Sequence, residues 1–189
     1  MSSSRSGYHH GDLAHALETA AMQLLAEKPA QDISLREVAR AADVSHNAPY
    51  HHFADRRGLL KVLAERSMAE LVAVVRTAIE SAPDPRSALV AGGGAYLRFA
   101  IERPHGFDVV YDPSVCIPGE PTATMAPLID ELERLLGDAS VAAGLDTPAD
   151  ALAVWGLVHG LGTLCAAGHL PLDAALDAAA TAIGRMLPR

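Results

Sequence analysis

SLREVARAADVSHNAPYHHF, residues 34–53, reads as two short helices set around a tight turn. Ile33, Leu35, Val38, Ala39 and Ala42 keep helical spacing, and Ser34 with Glu37 forms the Ser-x-x-Glu capping box that satisfies orphan amides at a helix start. The first helix therefore begins at Ser34 and ends near Ala42, where Asp43 can take the left-handed backbone that a turn requires. Val44 plugs inward. Ser45 is expected to cap the second helix, whose first turn carries His46, Asn47 and Pro49, since proline is tolerated at a helix start. That helix exposes Asn, Tyr and His and offers almost no apolar face beyond Ala48 and Phe53. It makes a poor core helix and a good groove helix, although an ordinary helical hairpin is the plainer alternative.

Working outward, a helix expected to begin near Gly11-Asp12 and to end at Lys28-Pro29 carries an amphipathic stripe of Leu13, Leu17, Ala20, Ala21 and Leu24, which can brace the two short helices. Downstream, Asp55 caps a helix expected to run to about Ser81, where Pro83 and Pro85 stop it. About 25 residues of helix rise roughly 37 Å, enough to join a small head to a second domain. We place the boundary between a helix-turn-helix domain of residues 1–66 and a helical domain of residues 67–189. Ala and Leu dominate, apolar residues recur at helical spacing and no hairpin signal is present, so the fold class is all-α.

Net charge is −8, but residues 1–66 balance eight Lys/Arg against eight Asp/Glu and hold six of the nine histidines. The acidic half is thus the one expected to stay away from phosphates. Arg5, Arg36, Arg40, Arg56, Arg57 and Lys61 are the expected phosphate-facing cations. The first ten residues lack an apolar core and do not read as a signal peptide, and Arg5 there is either a minor-groove arm or part of a frayed end. Cys116 and Cys165 show no metal or disulfide spacing, in keeping with reduced thiols in a cytoplasm.

The run VSHNAPYHHFADRRGLL resembles the TetR/AcrR pattern of Val-Ser, four variable residues, Tyr-x-His-Phe and a basic residue at the next helix start. YHHGDL at residues 8–13 resembles the opening of the branch with a WHG-type C-terminal domain, and Trp155, His159 and Gly160 match the Trp-x-x-x-His-Gly element of that domain. Asp43 stands where the family usually has Gly and Arg56 where it usually has Lys, and both replacements can serve. The resemblance implies a homodimeric DNA-binding regulator, with Ser34, Ser45, His46, Asn47, Ala48, Tyr50, His51, His52 and Arg56 at the DNA. Within that set, Asn47 suits adenine and Ala48 a thymine methyl, while Tyr50 and the histidines are expected at the backbone. His52 has a second reading, packing against the first helix beside Phe53.

Beyond residue 85, helices are expected over about 86–102, 105–112, 122–143, 148–168 and 172–187. Gly92, Gly93 and Gly94 cost a helix about 1 kcal/mol each relative to Ala, which calls for close backbone packing or a bend, of which packing is the preferred reading. Ala151 to Gly168 holds no charged residue and is read as a buried helix rather than a membrane span. Gly156 and Gly160, at i and i+4, lie on one face and admit a partner helix; with Leu176 and Ile183 they form the expected dimer interface. Tyr96, Phe99, Phe107, Tyr111, Met125, Trp155 and His159 are the expected lining of a small-molecule pocket, with a plain core as the other use for such residues. His105 and Asp108 are the only local pair that suits a metal, so no metal and no cofactor are expected. Without a phosphate loop, nucleophile elbow or paired carboxylates, an enzyme is not expected either. The partners are then double-stranded DNA, a small apolar effector and a second copy of the chain, with no membrane. A helical interaction module, or a small enzyme keeping the head as scaffold, is the competing class.

Overall fold

The computed structural model describes residues 10–188, among which there are nine α-helices and no strand. The Arg5 expectation lies outside the described residues. Helix α1 (His10–Glu27) and a single 3-10 turn (Ala30–Asp32) lead into α2 (Leu35–Ala41) and α3 (Ala48–Phe53). Helix α4 (Arg56–Glu80) follows, then α5 (Pro85–Glu102), α6 (Pro104–Val110), α7 (Met125–Ala142), α8 (Pro148–Ala166) and α9 (Leu172–Met186).

Local chemistry sets most of these limits. The Ser34–Glu37 capping box is complete, with the Glu37 amide 3.3 Å from Ser34 Oγ and the Ser34 amide 3.0 Å from Glu37 Oε2. Asp43 has φ of 52°, the left-handed turn expected of it. Asp55, Asp84 and Thr147 cap α4, α5 and α8 through their side chains, and Thr147 with Asp150 completes a second capping box. Helix α3 starts later than expected. Its N-cap is Asn47, whose amide reaches Ser45 Oγ at 3.4 Å, so Ser45, His46 and Asn47 form the turn before a six-residue helix. Pro49 falls in its first turn, where its missing N–H costs nothing.

Lys28 Nζ sits 2.6 Å from Glu37 Oε1, and this hydrogen bond, with those from Ser34, holds the Glu37 carboxyl down to about 2 from an ordinary 4.5. A carboxyl depressed in the folded state supports the fold fully above its unfolded pKa of about 4.5. That support is lost as pH falls through about 2. Acid unfolding of the head, followed by circular dichroism between pH 5 and pH 2, is therefore expected to be less steep in Glu37→Gln than in the parent; identical profiles would remove Glu37 from this role.

Helix α4 runs unbroken through the expected boundary at residue 66 and buries Leu59, Leu63, Ala64, Met68, Leu71, Val72 and Val75. The head and the larger helical layer therefore share one core, extending from Leu17 in α1 to Phe107 and Val158. Helix α5 is its central rod, packed on α4, α8 and α9. The glycine triplet resolves as close packing within a continuous helix. A Cβ on Gly92 would lie 2.9 Å from Ile79 Cγ1, and one on Gly93 would lie 3.1 Å from Val158 Cγ1.

One expectation is corrected here. Helix α8 is not buried within the chain, because only Val154, Val158 and Gly162 are, along the edge that meets α5. Its opposite side leaves Leu152 and Leu164 exposed, and a Cβ added to Gly156 or Gly160 would meet nothing within 4 Å. The helix is apolar all round, yet α5, α7 and α9 leave the side that carries Leu152, Gly156, Gly160 and Leu164 without a neighbour in the chain.

Candidate nucleic-acid interface and apolar cavity

The turn and helix from Ser45 to Tyr50 form a projecting edge. Ser45, His46, Asn47, Tyr50 and His51 are exposed and Ala48 is partly so, while Pro49 and Phe53 anchor the helix inward. Tyr50 is 47% exposed although aromatic, which leaves its hydroxyl available. Arg36, Arg40 and Arg57 are also exposed, and among the described residues none lies within 4.0 Å of a carboxylate oxygen. Such cations suit phosphate contacts.

Three expected DNA contacts are held elsewhere in the fold. The Ser34 hydroxyl is committed to its capping box, donating to Glu37 Oε2 at 2.8 Å. His52 takes its second reading. Its Nε2 is 3.1 Å from Glu18 Oε1 on α1, and its ring meets Phe53 edge-on with centroids 4.5 Å apart. Arg56 donates from its guanidinium to the Gln31 carbonyl, tying the start of α4 to the 3-10 turn. Lys61, the remaining cation of the expected phosphate set, is partly exposed. It lies one turn further along α4, on the wall of a cavity.

That cavity measures about 800 Å³ and is bounded by α4, the 110–122 segment, α7 and the first turns of α8. Its wall is mainly apolar, with Met68, Val115, Met125, Ile129, Leu132 and Leu136 among the lining residues, and Lys61, Glu65 and Glu133 add polar points. Thr122 donates its hydroxyl to Glu65, so the loop and α4 are joined across the wall. A space of this size, mostly apolar with a few polar groups, is the usual form of a small-molecule site.

Of the seven residues expected to line a pocket, Tyr111, Met125 and Trp155 do so. Tyr96, Phe99 and Phe107 are core residues, each at most 5% exposed, and His159 lies behind the wall. The correction has a packing cause. Tyr96 meets Phe107 edge-on at 5.7 Å, Phe107 meets Tyr111 at 5.0 Å, and Tyr111 meets His159 at 4.6 Å, so the rings satisfy one another. Their polar atoms form a line, with Tyr96 Oη 2.6 Å from Tyr111 Oη and 2.9 Å from His159 Nδ1. One consistent proton arrangement has Tyr111 donating to Tyr96 and Tyr96 donating to a neutral His159, whose remaining proton is on Nε2. Burial keeps all three groups neutral, since desolvation raises both tyrosine pKa values and lowers that of His159.

Two of the four expected interface residues are placed differently. Ile183 is fully buried against α5 and α8, with its Cδ1 3.4 Å from a Cβ built on Gly93, and is inaccessible to another chain. Leu176 is partly buried over Gly94. The exposed stripe of α9 is instead Asp173, Ala174, Asp177, Ala178, Thr181 and Arg185, which share one face.

A short exposed helix-turn-helix followed along α4 by an open apolar cavity is the layout of a DNA-binding transcriptional regulator, and the family patterns matched by the chain agree. Residues 18–63 match the family pattern described as bacterial regulatory proteins, tetR family, and residues 89–187 match the tetracyclin repressor-like C-terminal domain. The chain belongs to the TetR family. A protein of unknown function from Rhodococcus sp. RHA1 is 32% identical, with a TM-score of 0.78 over 98% of this chain and 100% of that one. A tetR-family transcriptional regulator from Streptomyces coelicolor shares the fold at 17% identity, covering 93% of this chain and 80% of that one with a TM-score of 0.72. The TetR-like regulator LfrR from Mycobacterium smegmatis, solved in complex with proflavine, does so at 21% identity and a TM-score of 0.67, over 94% and 98% of the two chains. No curated protein matches the sequence.

Proposed function

We propose that this chain is a homodimeric repressor that binds a palindromic operator and releases it when a small apolar molecule enters the cavity. The observation that carries the reading is that α4 serves both ends: Arg56 opens it at the head, and Lys61, Glu65 and Met68 on the same helix line the cavity. A molecule that displaces those side chains tilts a rigid 25-residue rod whose first turn, a short way back along the same helix, adjoins α3. Shifting operator occupancy about a hundredfold requires about 2.7 kcal/mol of differential affinity between the two tilts. The LfrR complex with proflavine supports a small-molecule ligand for the shared fold. Such a protein works in the cytoplasm as a regulator rather than a catalyst.

Dimerisation through α8 and α9 is supported by their free faces. Asp177 and Arg185 stand four residues either side of Thr181 on the exposed stripe of α9, so a two-fold axis near Thr181 sets each Asp against the partner's Arg. Two heads related by that symmetry read half-sites about 34–36 Å apart.

Asn47 and Tyr50 have different work in this reading. Asn47→Ala is expected to lose about 1–3 kcal/mol of preference at one or two base pairs while keeping affinity for random DNA. Tyr50→Phe removes a backbone contact and weakens operator and random DNA alike. Gel shifts against the DNA upstream of the gene, with a scrambled control, measure both; equal losses on the two DNAs for Asn47→Ala would withdraw its base-reading role.

A further inference from the structure

We infer that the cavity is a composite site whose mouth is closed by Leu164 from a second copy of the chain. Four of the large hydrophobic side chains exposed in the described residues, Ile117, Val141, Leu152 and Trp155, lie around this one cavity. Val141 is 61% exposed and Leu152 62%, so the mouth presents a rim of bare apolar surface to water. That cost is removed when another apolar surface seats on it.

The geometry of α8 says which surface. At 100° per residue, Leu152, Gly156, Gly160 and Leu164 form one i, i+4 ridge along its free face. The ridge is symmetric about Val158: the two glycines are two residues either side and the two leucines six. An antiparallel copy crossing at that point sets Gly156 against the partner's Gly160, where the absent side chains allow close approach. It also carries the partner's Leu164 over Leu152, each about 9 Å along its axis from the crossing. Leu164 is 43% exposed and does not line its own chain's cavity, so nothing within one chain accounts for a large apolar side chain there. A second copy is the occupant because the ridge complements itself, holds no charge from Ala151 to Gly168, and lies beside the α9 stripe whose Asp177 and Arg185 are also self-complementary. Ligand binding and dimer contact then share residues. The inference rests on the homodimer and cavity readings above.

Trp155 is the only tryptophan in the protein and lies on the cavity wall, so its quenching by the neutral apolar dye N-phenyl-1-naphthylamine reports occupancy directly. The titration compares the full-length parent, Leu164→Ala, the volume-conserving Leu164→Met and Gly160→Leu, with sedimentation giving the oligomeric state and circular dichroism the fold of each. The expected result is a dye Kd at least fivefold weaker in Leu164→Ala, near the parental value in Leu164→Met, and weakened at least as much in monomeric Gly160→Leu. Parental dye affinity in folded Leu164→Ala, or in a proven Gly160→Leu monomer, overturns the composite site and leaves the cavity standing. Absence of dye binding in the parent itself overturns the cavity reading, and this inference with it.

Discussion

Gly93→Leu is expected to destabilise the protein by about 3 kcal/mol, at the upper end of what overpacking a filled core costs. Gly93 is buried in the middle of α5, and a Cβ there would stand 3.1 Å from Val158 Cγ1 on α8 and 3.4 Å from Ile183 Cδ1 on α9. Both neighbours are β-branched and themselves buried, so neither side chain can swing away. The three helices must separate, and α8 and α9 carry the proposed dimer face with them. Replacing Gly in a helix ordinarily gains about 1 kcal/mol, which offsets only part of the overpacking. Gly137 provides the control. A Cβ at that position on α7 meets nothing within 4 Å, so Gly137→Ala should raise stability by about 0.5–1 kcal/mol. Urea unfolding of the two variants beside the parent measures both signs. Equal stability of Gly93→Leu and parent would mean that α8 and α9 do not close on α5 at this point.

Gly156→Leu is expected to give a folded monomer whose operator affinity is lower by a factor of about 10²–10⁴. In isolation the chain tolerates the change, because nothing lies within 4 Å of a Cβ at Gly156 and the helix gains propensity. In a symmetric dimer the added side chain meets the partner twice, once in each copy, and holds the α8 helices apart. The DNA consequence exceeds the packing consequence. Two joined heads bind a palindrome with the second event made effectively intramolecular, an advantage of about 10²–10⁴ that a monomer forfeits entirely. Sedimentation and a gel shift on the same preparations test the chain of cause. A dimeric Gly156→Leu would move the interface off this ridge, and a monomer with parental operator affinity would separate dimer from operator.

Much of the head was legible in the sequence because its signals act over three or four residues. The Ser34–Glu37 box, left-handed Asp43, Pro49 in the first turn of α3 and Asp55 at the cap of α4 each follow from the chemistry of near neighbours. The same holds for the start of α8, which Thr147, Pro148 and Asp150 dictate between them. Helical spacing likewise determined that the chain is all-α and that Gly156 and Gly160 share a face. The tertiary structure decided what each face meets. His52 turns to Glu18, 34 residues away, Arg56 to the Gln31 carbonyl, and Lys61 to the cavity, although by sequence Arg56 and Lys61 read as phosphate contacts and His52 as either contact or packing. Tyr96 and Phe107 carry the same aromatic signal as Tyr111 and Trp155, yet their rings close on one another and on His159, 63 residues beyond Tyr96, leaving Tyr111, Met125 and Trp155 at the wall. Ile183 and Leu164 carry the same apolar signal, and one is sealed under α5 while the other stands in water. Periodicity fixes the side of a helix on which a residue lies; only the packing of distant segments decides whether that side faces core, cavity, DNA or another chain.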